Sequence, residues 1–565
     1  MALVPIVTAA TRALRNGWFP LSDNALMAIR AHDVLSAHPP LLGTWTSGSL
    51  AAGVDINHPG PLLFDWLAIP VRLLGPGAGI VVGVSLLQAA SIVGIAVFAA
   101  RRGGPLLSMA ATLATTGLCL AMGSGVLLEP WNPHVTLLPF LWYLVLVWSV
   151  AAGDRAALPW AVGVASLVVQ THLSYALLVP LLGAWAVASL VVRRLLTSRQ
   201  DRSRGAIRGL ARPALLATAV LLVCWAQPLV EQATKGESGN LSRLATHGSS
   251  GATAGLSTSM RLVADVALLP PFWSRGAFRD SWLPQPHAIV APKAALLPST
   301  ARAAVALGLV GLALLVGARS AWRRGDRSAV AASTTALVAL VIAVPAAAQS
   351  PLGSFGLSPH QFRWLWPFGA FVALTLASGA ISWFRDRAPR SWGTRAGVGI
   401  AVATGLVALA NVPAYNDPVT PNSTQSAIPV VHALASQFGS LKGGGPYLID
   451  HLYVGFADPY SVALIAEMQR RGVPFVTAVP SLARQYGENR RIHLPNGEVE
   501  SLVLAVGPSA EATPSGLRLV ARYVPSEQGN PSERNSPAVA VFVGTPRVVA
   551  AALSTQRSHR PNGTP

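Results

Sequence analysis

The sequence predicts an all-α membrane domain with many spans, followed by a small C-terminal α/β domain. Two features of composition predict the membrane class: 52% of the 565 residues are hydrophobic and only 12% are charged. The mean hydropathy is positive, at +0.47. A soluble chain of this length does not carry so much apolar surface, so lipid must form part of its solvent. The third feature is an alternation of strand-like and helix-like patterns after residue 440, which predicts the α/β domain.

Apolar runs recur through the first 412 residues, and most are long enough to cross the roughly 30 Å hydrocarbon core. A shorter run at 158–170 leads into Thr171 and His172, which predicts a tight helical hairpin with these two residues near its tip. Together the runs predict about 10–11 transmembrane helices. The long runs lie near 79–100, 104–122, 132–152, 172–192, 213–230, 296–318, 328–348, 364–383 and 395–412.

Residues 1–12 have the composition of the end of a hydrophobic segment. At 1.5 Å per residue they are too short to cross a bilayer. We expect a start upstream of Met1 that completes a first membrane helix, and the alternative is an interfacial stub.

The formal net charge is +19, but its distribution argues against nucleic acid as a partner. Residues 440–565 carry 12 basic and 9 acidic residues, whereas residues 1–439 carry 30 basic and 14 acidic residues. In the first part the basic residues cluster between apolar runs, as cytoplasmic loops do in an inner (plasma) membrane protein. Successive clusters are separated by even numbers of spans, so all of them can be cytoplasmic. The segments predicted to lie outside the cytoplasm are 13–78, 123–131, 231–295, 349–363 and everything after about 413.

The first outer segment is predicted to contain two helices. One covers 22–36, is capped by Ser22 or Asp23, and carries its apolar residues on one side. The other follows the proline-containing run NHPGP and is predicted to lie along the membrane, with Trp66 at the interface.

The predicted organisation is a membrane domain at 1–412, a linker at 413–439, an extracytoplasmic α/β domain at 440–548 and a disordered tail at 549–565. The α/β domain begins with a strand–helix–strand pattern. Its helix is predicted to have Asp458 as the N-cap, Pro459 as the first helical residue and Gly472 as the stop. Further strands are predicted at 500–507, 517–523 and 538–544.

Ionisable residues near membrane depth are costly, so those at the outer ends of spans are candidates for chemistry. Asp23 begins an exported helix directly after a membrane exit and can act as a general base on an acceptor hydroxyl. The alternative is that it only caps the helix. Asp33 lies ten residues further on, about 80° around the helix and about 15 Å along it. The two carboxylates are therefore no close pair, and Asp33 is predicted to be structural or to orient a substrate.

A short outer loop, GSGVLLEPWNPHV, combines hydrogen-bonding side chains with an aromatic platform, as sugar recognition requires. The alternative is an interfacial tryptophan with a capping asparagine. Two further histidines on outer segments are candidates, although a lone histidine is more often structural. The predicted substrate-binding residues here are Glu129, Trp131, Asn132, His134, His58 and His172.

Arg363 opens a membrane helix on the outer side, against the positive-inside trend. Its guanidinium suits bidentate binding of a lipid phosphate, with His360 as a neighbour, and snorkelling to the interface is the alternative. The chain has no GxxxxGK[ST] phosphate loop, no HExxH or CxxC metal spacing and no GxSxG elbow. A sugar donor used outside the cytoplasm is therefore expected to be lipid-linked rather than nucleotide-linked.

Four segments resemble the GT-C superfamily of integral-membrane glycosyltransferases, and more narrowly a group of related actinobacterial membrane proteins. The likeness in architecture covers residues 1–412, and its segments are SDNALMAIRAHDVLSAHPPLLG (22–43), NHPGPLLF (57–64), EPWNPHVTLLPF (129–140) and VVQTHLSYALLV (168–179). The resemblance implies that Asp23 is the catalytic base, that the donor is a polyprenyl-phosphate sugar, and that the anomeric carbon inverts. Arg363 would hold the leaving phosphate.

The chain departs from better-known branches of the superfamily in one respect. A strict Asp-Glu or Asp-x-Asp pair is missing, because Asn24 and Ala25 follow Asp23. Since some members use a divalent metal and others do not, this departure leaves metal use open.

The sequence thus predicts transfer of a sugar from a polyprenyl-phosphate donor to a glycan or glycolipid acceptor in cell-envelope assembly. One alternative is a transporter or flippase of lipid-linked sugars, which would show an inverted repeat and polar residues at mid-membrane. Another is a non-catalytic membrane scaffold. The mid-span segments carry almost no charge and the polar residues gather at the outer ends, which favours chemistry at one surface.

Overall fold

In a computed structural model, the chain forms two compact units. The membrane unit comprises Met1–Arg12, Leu41–Leu63 and Val84–Asp417, and the α/β unit comprises Ala13–Pro40, Phe64–Gly83 and Pro418–Pro565. The structure describes residues 1–200, 205–247, 252–269, 297–352, 357, 359–385, 387, 389, 391–414, 426–452, 458–493, 499–526 and 536–558. Parts of the predicted outer segments 231–295 and 349–363, of the linker and of the tail lie outside these residues.

The described chain is mostly helical, with one sheet near its C-terminal end. The helices are α1 Val4–Arg15, α2 Ser22–Asp33, α3 Gly48–Ala52, α4 Leu62–Leu128, α5 Asn132–Val135, α6 Leu137–Ala151, α7 Ala157–Thr171, α8 Leu178–Gln200, α9 Gly205–Lys235, α10 Asn240–His247, α11 Gly255–Val263, α12 Thr300–Arg323, α13 Arg327–Ala348, α14 Leu365–Arg385, α15 Ser391–Ala414, α16 Ala427–Ser436, α17 Ser461–Arg470, α18 Pro480–Tyr486 and α19 Pro546–Ser558. The strands are β1 Tyr447–His451, β2 Phe475–Val476, β3 Ser501–Val506, β4 Arg518–Tyr523 and β5 Val539–Gly544.

Eight helices of the described chain are long and apolar enough to cross a membrane, so the predicted multi-pass membrane class is confirmed. In the membrane unit α6 is central, because 94% of its apolar window is buried. The windows of α9, α12 and α15 are only 11%, 17% and 17% buried, although their residues are apolar. Such exposed apolar helices are stable only against lipid.

Helix α4 contains 67 residues and would be about 100 Å long if it were straight. It folds back instead at Gly75 and Gly104, whose φ angles of +79° and +75° are left-handed, and each is followed by a proline. Ser108 Oγ donates to the carbonyl oxygen of Ala96 over 2.9 Å. In a straight helix these two residues would lie about 18 Å apart along the axis. The chain therefore reverses at Gly104, and α4 supplies separate stretches at 76–103 and 105–128.

The first stretch of α4, 62–74, is the helix predicted after the NHPGP run. Trp66 Nε1 donates to the carbonyl oxygen of Gly83 over 2.8 Å, so this stretch turns back at Gly75 onto the start of the next one. Its buried residues include Leu67 and Val71, at 0% and 2% exposed. The predicted spans at 79–100 and 104–122 correspond to the two stretches that follow.

The α/β unit is built on a mixed sheet with strand order β2-β1-β3-β5-β4. Strand β1 is parallel to β2 and β3, whereas β5 is antiparallel to β3 and β4. Every strand predicted from the sequence is present. The helix α16 lies in the segment predicted as linker, and Val430, Val431 and Leu434 of this helix are fully buried in the core of the unit.

Helix α2 belongs to the α/β unit rather than to the membrane unit, where the sequence placed it. Its residues Ala25, Leu26 and Ile29 are at most 3% exposed and join the same core as α17 and the sheet. The predicted domain boundary at 412 therefore misses this segment, because the sequence shows an apolar face but not the surface that covers it. At the other end, α19 runs to Ser558, into the tail predicted to be disordered from 549.

The predicted helix caps were partly wrong. The N-cap of α2 is Leu21, and Ser22 Oγ donates instead to the carbonyl oxygen of Asp458 over 3.0 Å. Helix α17 begins at Ser461, so Pro459 is not its first residue. Asp458 Oδ1 still accepts from the backbone N–H groups of Tyr460 and Ser461, both over 2.9 Å, and burial raises the pKa of this carboxyl.

Candidate functional site

Glu129 and His134 form a buried pair where α4 ends and α5 begins. Oε2 of Glu129 lies 2.5 Å from Nδ1 of His134, and the two side chains are 2% and 0% exposed. Only four residues, two of them prolines, lie between them: Glu129 follows α4 directly and His134 lies in the single turn of α5. A carboxylate can only accept here, so the imidazole donates from Nδ1 and turns Nε2 away from Glu129. Nε2 is buried and has no hydrogen-bond partner within the described part of the chain.

Trp131 joins this pair to the segment that precedes α14. Its ring lies edge-on to His134, with centroids 4.8 Å apart, and 5.2 Å from the ring of His360. His360 lies in the short 3₁₀ helix Pro359–Phe362, so two segments more than 200 residues apart meet at one tryptophan. The platform predicted from the sequence is thus in contact with two imidazoles.

Arg363 lies close behind this group. Its guanidinium carbon is 5.3 Å from the centroid of the Trp366 ring, and its charge interacts with that of Glu129. The guanidinium and the Glu129 carboxylate attract each other, which holds a cation beside the imidazoles. His360 lies three positions before Arg363 in the chain, and the phosphate-binding role of both residues stays a prediction.

His58 and His172 form a second pair. Their ring centroids are 5.3 Å apart with an interplanar angle of 31°, and both residues are buried, at 7% and 8% exposed. His172 lies in the turn between α7 and α8, as the predicted hairpin required, and the Leu173 N–H donates to His58 Nδ1 over 3.3 Å. Burial lowers the pKa of His58 to about 3, so this histidine is neutral.

Asn132 anchors the loop rather than presenting its amide freely. Its Nδ2 donates to the carbonyl oxygen of Thr171 over 2.5 Å and to Thr44 Oγ1 over 3.2 Å. The side chain therefore ties the α4–α5 loop to the α7–α8 turn and to the segment before α3. In this way it brings Glu129 and His134 toward His172.

Asp23 and Asp33 lie in the α/β unit, on helix α2, whereas the other predicted site residues lie in the membrane unit. Asp23 is exposed in the first turn of the helix. Asp33 is 1% exposed and accepts four hydrogen bonds, from Arg30, Gln469 and both Nη atoms of Arg490, over 2.6 to 2.7 Å. All lone-pair sites of this carboxylate are used. This network is compatible with the structural role predicted for Asp33, and the alternative role in orienting a substrate stays a prediction.

One residue pair of the membrane unit was not foreseen from the sequence. Asn57 and Asn240 exchange hydrogen bonds: the Asn57 N–H donates to Asn240 Oδ1 over 2.8 Å, and Asn240 Nδ2 donates to the Asn57 carbonyl oxygen over 3.0 Å. Glu231 accepts from the Asn240 N–H over 3.0 Å. This buried pair holds the segment that carries His58 against α10, and no local motif marks it.

No group of three or more His, Cys, Asp or Glu side chains within the described ranges is arranged to hold a metal ion. The side chains brought together at the site are a carboxylate–imidazole pair, an aromatic ring and a guanidinium.

No protein-family model and no curated protein matches the chain. The fold is similar to that of ArnT from Cupriavidus metallidurans in the apo state, with a TM-score of 0.47 and 13% identity over 93% of this chain and 94% of that chain. It is similar to the same protein bound to undecaprenyl phosphate, with a TM-score of 0.47 and 13% identity over 96% of each chain. An oligosaccharyltransferase from Archaeoglobus fulgidus in the apo form gives a TM-score of 0.33 and 12% identity over 86% of this chain and 69% of that chain. At identities this low, none of these similarities assigns a role to a residue.

Proposed function

We propose that the chain is a membrane glycosyltransferase of the GT-C type. It transfers a sugar from a polyprenyl-phosphate donor to a hydroxyl group of a glycan or glycolipid acceptor outside the cytoplasm, in the inner (plasma) membrane. The observation that carries the proposal is the meeting of Glu129, Trp131, His134, His360 and Arg363 in one place, at the ends of helices that are long enough to cross a membrane.

Each of these groups suits one part of a lipid-phosphate sugar. The guanidinium of Arg363 binds the phosphate, to which it offers a planar pair of N–H donors. The ring of Trp131 packs on the sugar, and the Glu129–His134 pair presents the Nε2 atom of an oriented imidazole to a sugar hydroxyl.

The reaction proposed is a single displacement at the anomeric carbon. The acceptor oxygen forms a bond to this carbon while the bond to the phosphate oxygen breaks, so the configuration inverts and polyprenyl phosphate leaves. The acceptor proton passes to a carboxylate, and Asp23 is the proposed base. Its exposed position in the first turn of α2 leaves it accessible to an acceptor.

The proposal is tested by lipid analysis of a deletion strain of the source organism. We expect one polyprenyl-phosphate sugar to accumulate and the corresponding envelope glycan to shorten. The wild-type gene should restore the parental profile. The variant Glu511→Ala should restore it too, because it removes an exposed carboxylate elsewhere in the α/β unit, which also contains Asp23. Asp23→Ala should not restore it, although the protein should be present at normal abundance.

The alternative functions predict different results, either in this experiment or with the purified protein. A scaffold would tolerate Asp23→Ala, and full complementation by this variant would contradict the proposed base. A flippase would move lipid-linked sugar across the bilayer of proteoliposomes without consuming it. Transfer of sugar to an added acceptor by the purified protein separates the transferase from the flippase.

A further inference from the structure

The α/β unit contains a cleft that lies outside the site described above. It has a volume of about 490 Å³. We call it the basic cleft, because Arg72, Arg470 and Arg471 line it together with Glu467. Phe19 and His432 form an aromatic wall, with ring centroids 5.2 Å apart in an edge-on arrangement. A cavity of this size holds a ligand of roughly headgroup dimensions.

The three guanidiniums leave the cleft with an excess of positive charge. Arg470 binds Glu467 through Nε and Nη2, over 2.7 to 3.1 Å, and Arg471 Nε approaches the same carboxylate at 3.5 Å. Arg72 donates from Nε and Nη2 to the carbonyl oxygens of His32 and Val34. Within the described part of the chain, the Nη1 atoms of Arg72 and Arg470 and both Nη atoms of Arg471 have no partner. One carboxylate thus balances three cations, and the remaining donors suit an anion with several oxygens.

The edge of the cleft is apolar. Arg72 and Leu74 lie at the end of the helical stretch 62–74. On the exposed face of this stretch, Trp66, Ile69 and Leu73 are 41%, 71% and 76% exposed. A helix whose exposed face carries a tryptophan and large aliphatic residues is typical of the membrane interface.

This edge is also continuous in sequence with an apolar helical stretch. Gly75 turns the chain directly from 62–74 into the stretch 76–103, whose residues 79–100 are apolar and long enough to cross the bilayer. Gly75, Pro76 and Gly77 themselves line the cleft. A ligand in the cleft therefore has its charged part beside the arginines and can extend an apolar part along Ile69 and Leu73.

We propose that the basic cleft binds the phosphate headgroup of an anionic bilayer phospholipid. The phosphate oxygens accept from Arg72, Arg470 and Arg471, and the acyl chains lie along the exposed apolar face of 62–74. A soluble phosphate compound offers the same charge but nothing to cover that face, so the lipid is the better match. This site is independent of the proposed transferase reaction, because none of its residues takes part in that reaction.

The test is native mass spectrometry of the purified full-length protein in detergent, with added phosphatidylglycerol, phosphatidylcholine or glycerol phosphate. The wild-type protein should retain phosphatidylglycerol in preference to phosphatidylcholine and should not retain glycerol phosphate. Arg471→Gln should weaken phosphatidylglycerol binding about fivefold, and Arg72→Gln with Arg471→Gln about 25-fold, since one arginine near a membrane surface contributes about that factor. Arg518→Gln, which removes a half-exposed arginine of β4, should leave binding unchanged.

Three results would overturn the proposal. They are equal binding of the two phospholipids by the wild-type protein, undiminished phosphatidylglycerol binding by the double variant, and retention of glycerol phosphate as strong as that of the lipid. The double variant may be compared only where its thermal unfolding matches that of the wild type. If the double variant unfolds at a lower temperature than the wild type, the Arg471→Gln variant alone tests the proposal. This substitution is expected to leave the fold intact, because Arg471 makes no hydrogen bond shorter than 3.5 Å to Glu467.

Discussion

The Nδ1 atom of His134 lies 2.5 Å from Oε2 of Glu129, and the pair is almost completely enclosed. The carboxylate fixes which nitrogen of the imidazole carries the proton and how the ring is oriented. The ring of Trp131 packs edge-on against the same imidazole, which restrains it further. The pair thus holds one nitrogen of His134 in a fixed direction, as the proposed recognition of a sugar hydroxyl requires.

The first prediction concerns this pair. Glu129→Gln keeps the shape of the side chain but removes the charge that orients His134, so we expect the rate of sugar transfer to fall by about 10². The rate is measured with the purified protein and a polyprenyl-phosphate sugar, and Glu511→Gln serves as the control.

His134→Gln should cause a similar loss, and the double variant should be little worse than either single variant, because the two residues act as a unit. Fully additive losses would show that the two residues act separately. A Glu129→Gln protein with the wild-type rate would remove the pair from the mechanism.

The second prediction separates phosphate binding by Arg363 from snorkelling. Arg363→Lys keeps the positive charge and a long side chain but loses the planar pair of donors. If Arg363 holds the donor phosphate, the KM for the lipid-linked sugar should rise about tenfold or more, with a smaller change in kcat. If the residue only snorkels to the interface, the lysine variant should behave like the wild type, whereas Arg363→Ala should reduce stability.

The third prediction concerns the stability of the α/β unit. Asp33→Asn leaves Arg30 and Arg490, which are 7% and 4% exposed at their side chains, without their counter-charge. Burial already lowers the pKa of Arg30 to about 10, so its charge is costly to keep. We expect the free energy of unfolding to fall by about 3–5 kcal/mol.

Thermal unfolding in detergent measures this loss. Glu500→Gln is the matched control, because it breaks an ion pair with Arg518 in which both side chains are about half exposed. Such a pair contributes about 0–1 kcal/mol, so the control should unfold like the wild type. If the Asp33→Asn protein also unfolded at the wild-type temperature, the network around Asp33 would not be needed for stability.

The fourth prediction is a pH dependence caused by His58. Burial lowers its pKa from 6.5 to about 3 in the folded protein. Between these pH values the unfolded chain binds a proton that the folded protein does not, so the free energy of unfolding falls as the pH decreases through this window. The melting temperature should therefore be lower at pH 5 than at pH 7.5, and His58→Asn should show a smaller decrease.

The control for this experiment is His432→Asn, which removes an exposed histidine. It should keep the pH dependence of the wild type. If His58→Asn also shows the full decrease in melting temperature between pH 7.5 and pH 5, this pH dependence is caused by other buried groups.

The sequence alone determined the class and most of the elements. The run predicted at 328–348 is observed as Arg327–Ala348, and the strand predicted at 538–544 as Val539–Gly544. These predictions succeed because hydrophobic periodicity and span length are local properties of the chain. In the sequence Glu129 and His134 are separate candidates, and their pairing, although the two residues are only five positions apart, is seen in the structure.

Only the tertiary structure decided which distant segments share a surface. The helix that carries Asp23 has an apolar face in its sequence, but the fold shows that Ala25, Leu26 and Ile29 complete the core of the α/β unit. In the same way His58 meets His172 across more than 100 residues. Contacts of this kind depend on how whole elements pack together, which the pattern of residues within one element does not specify. The residue types of the proposed site can therefore be recognised in the sequence, whereas the fold decides that these residues lie close together.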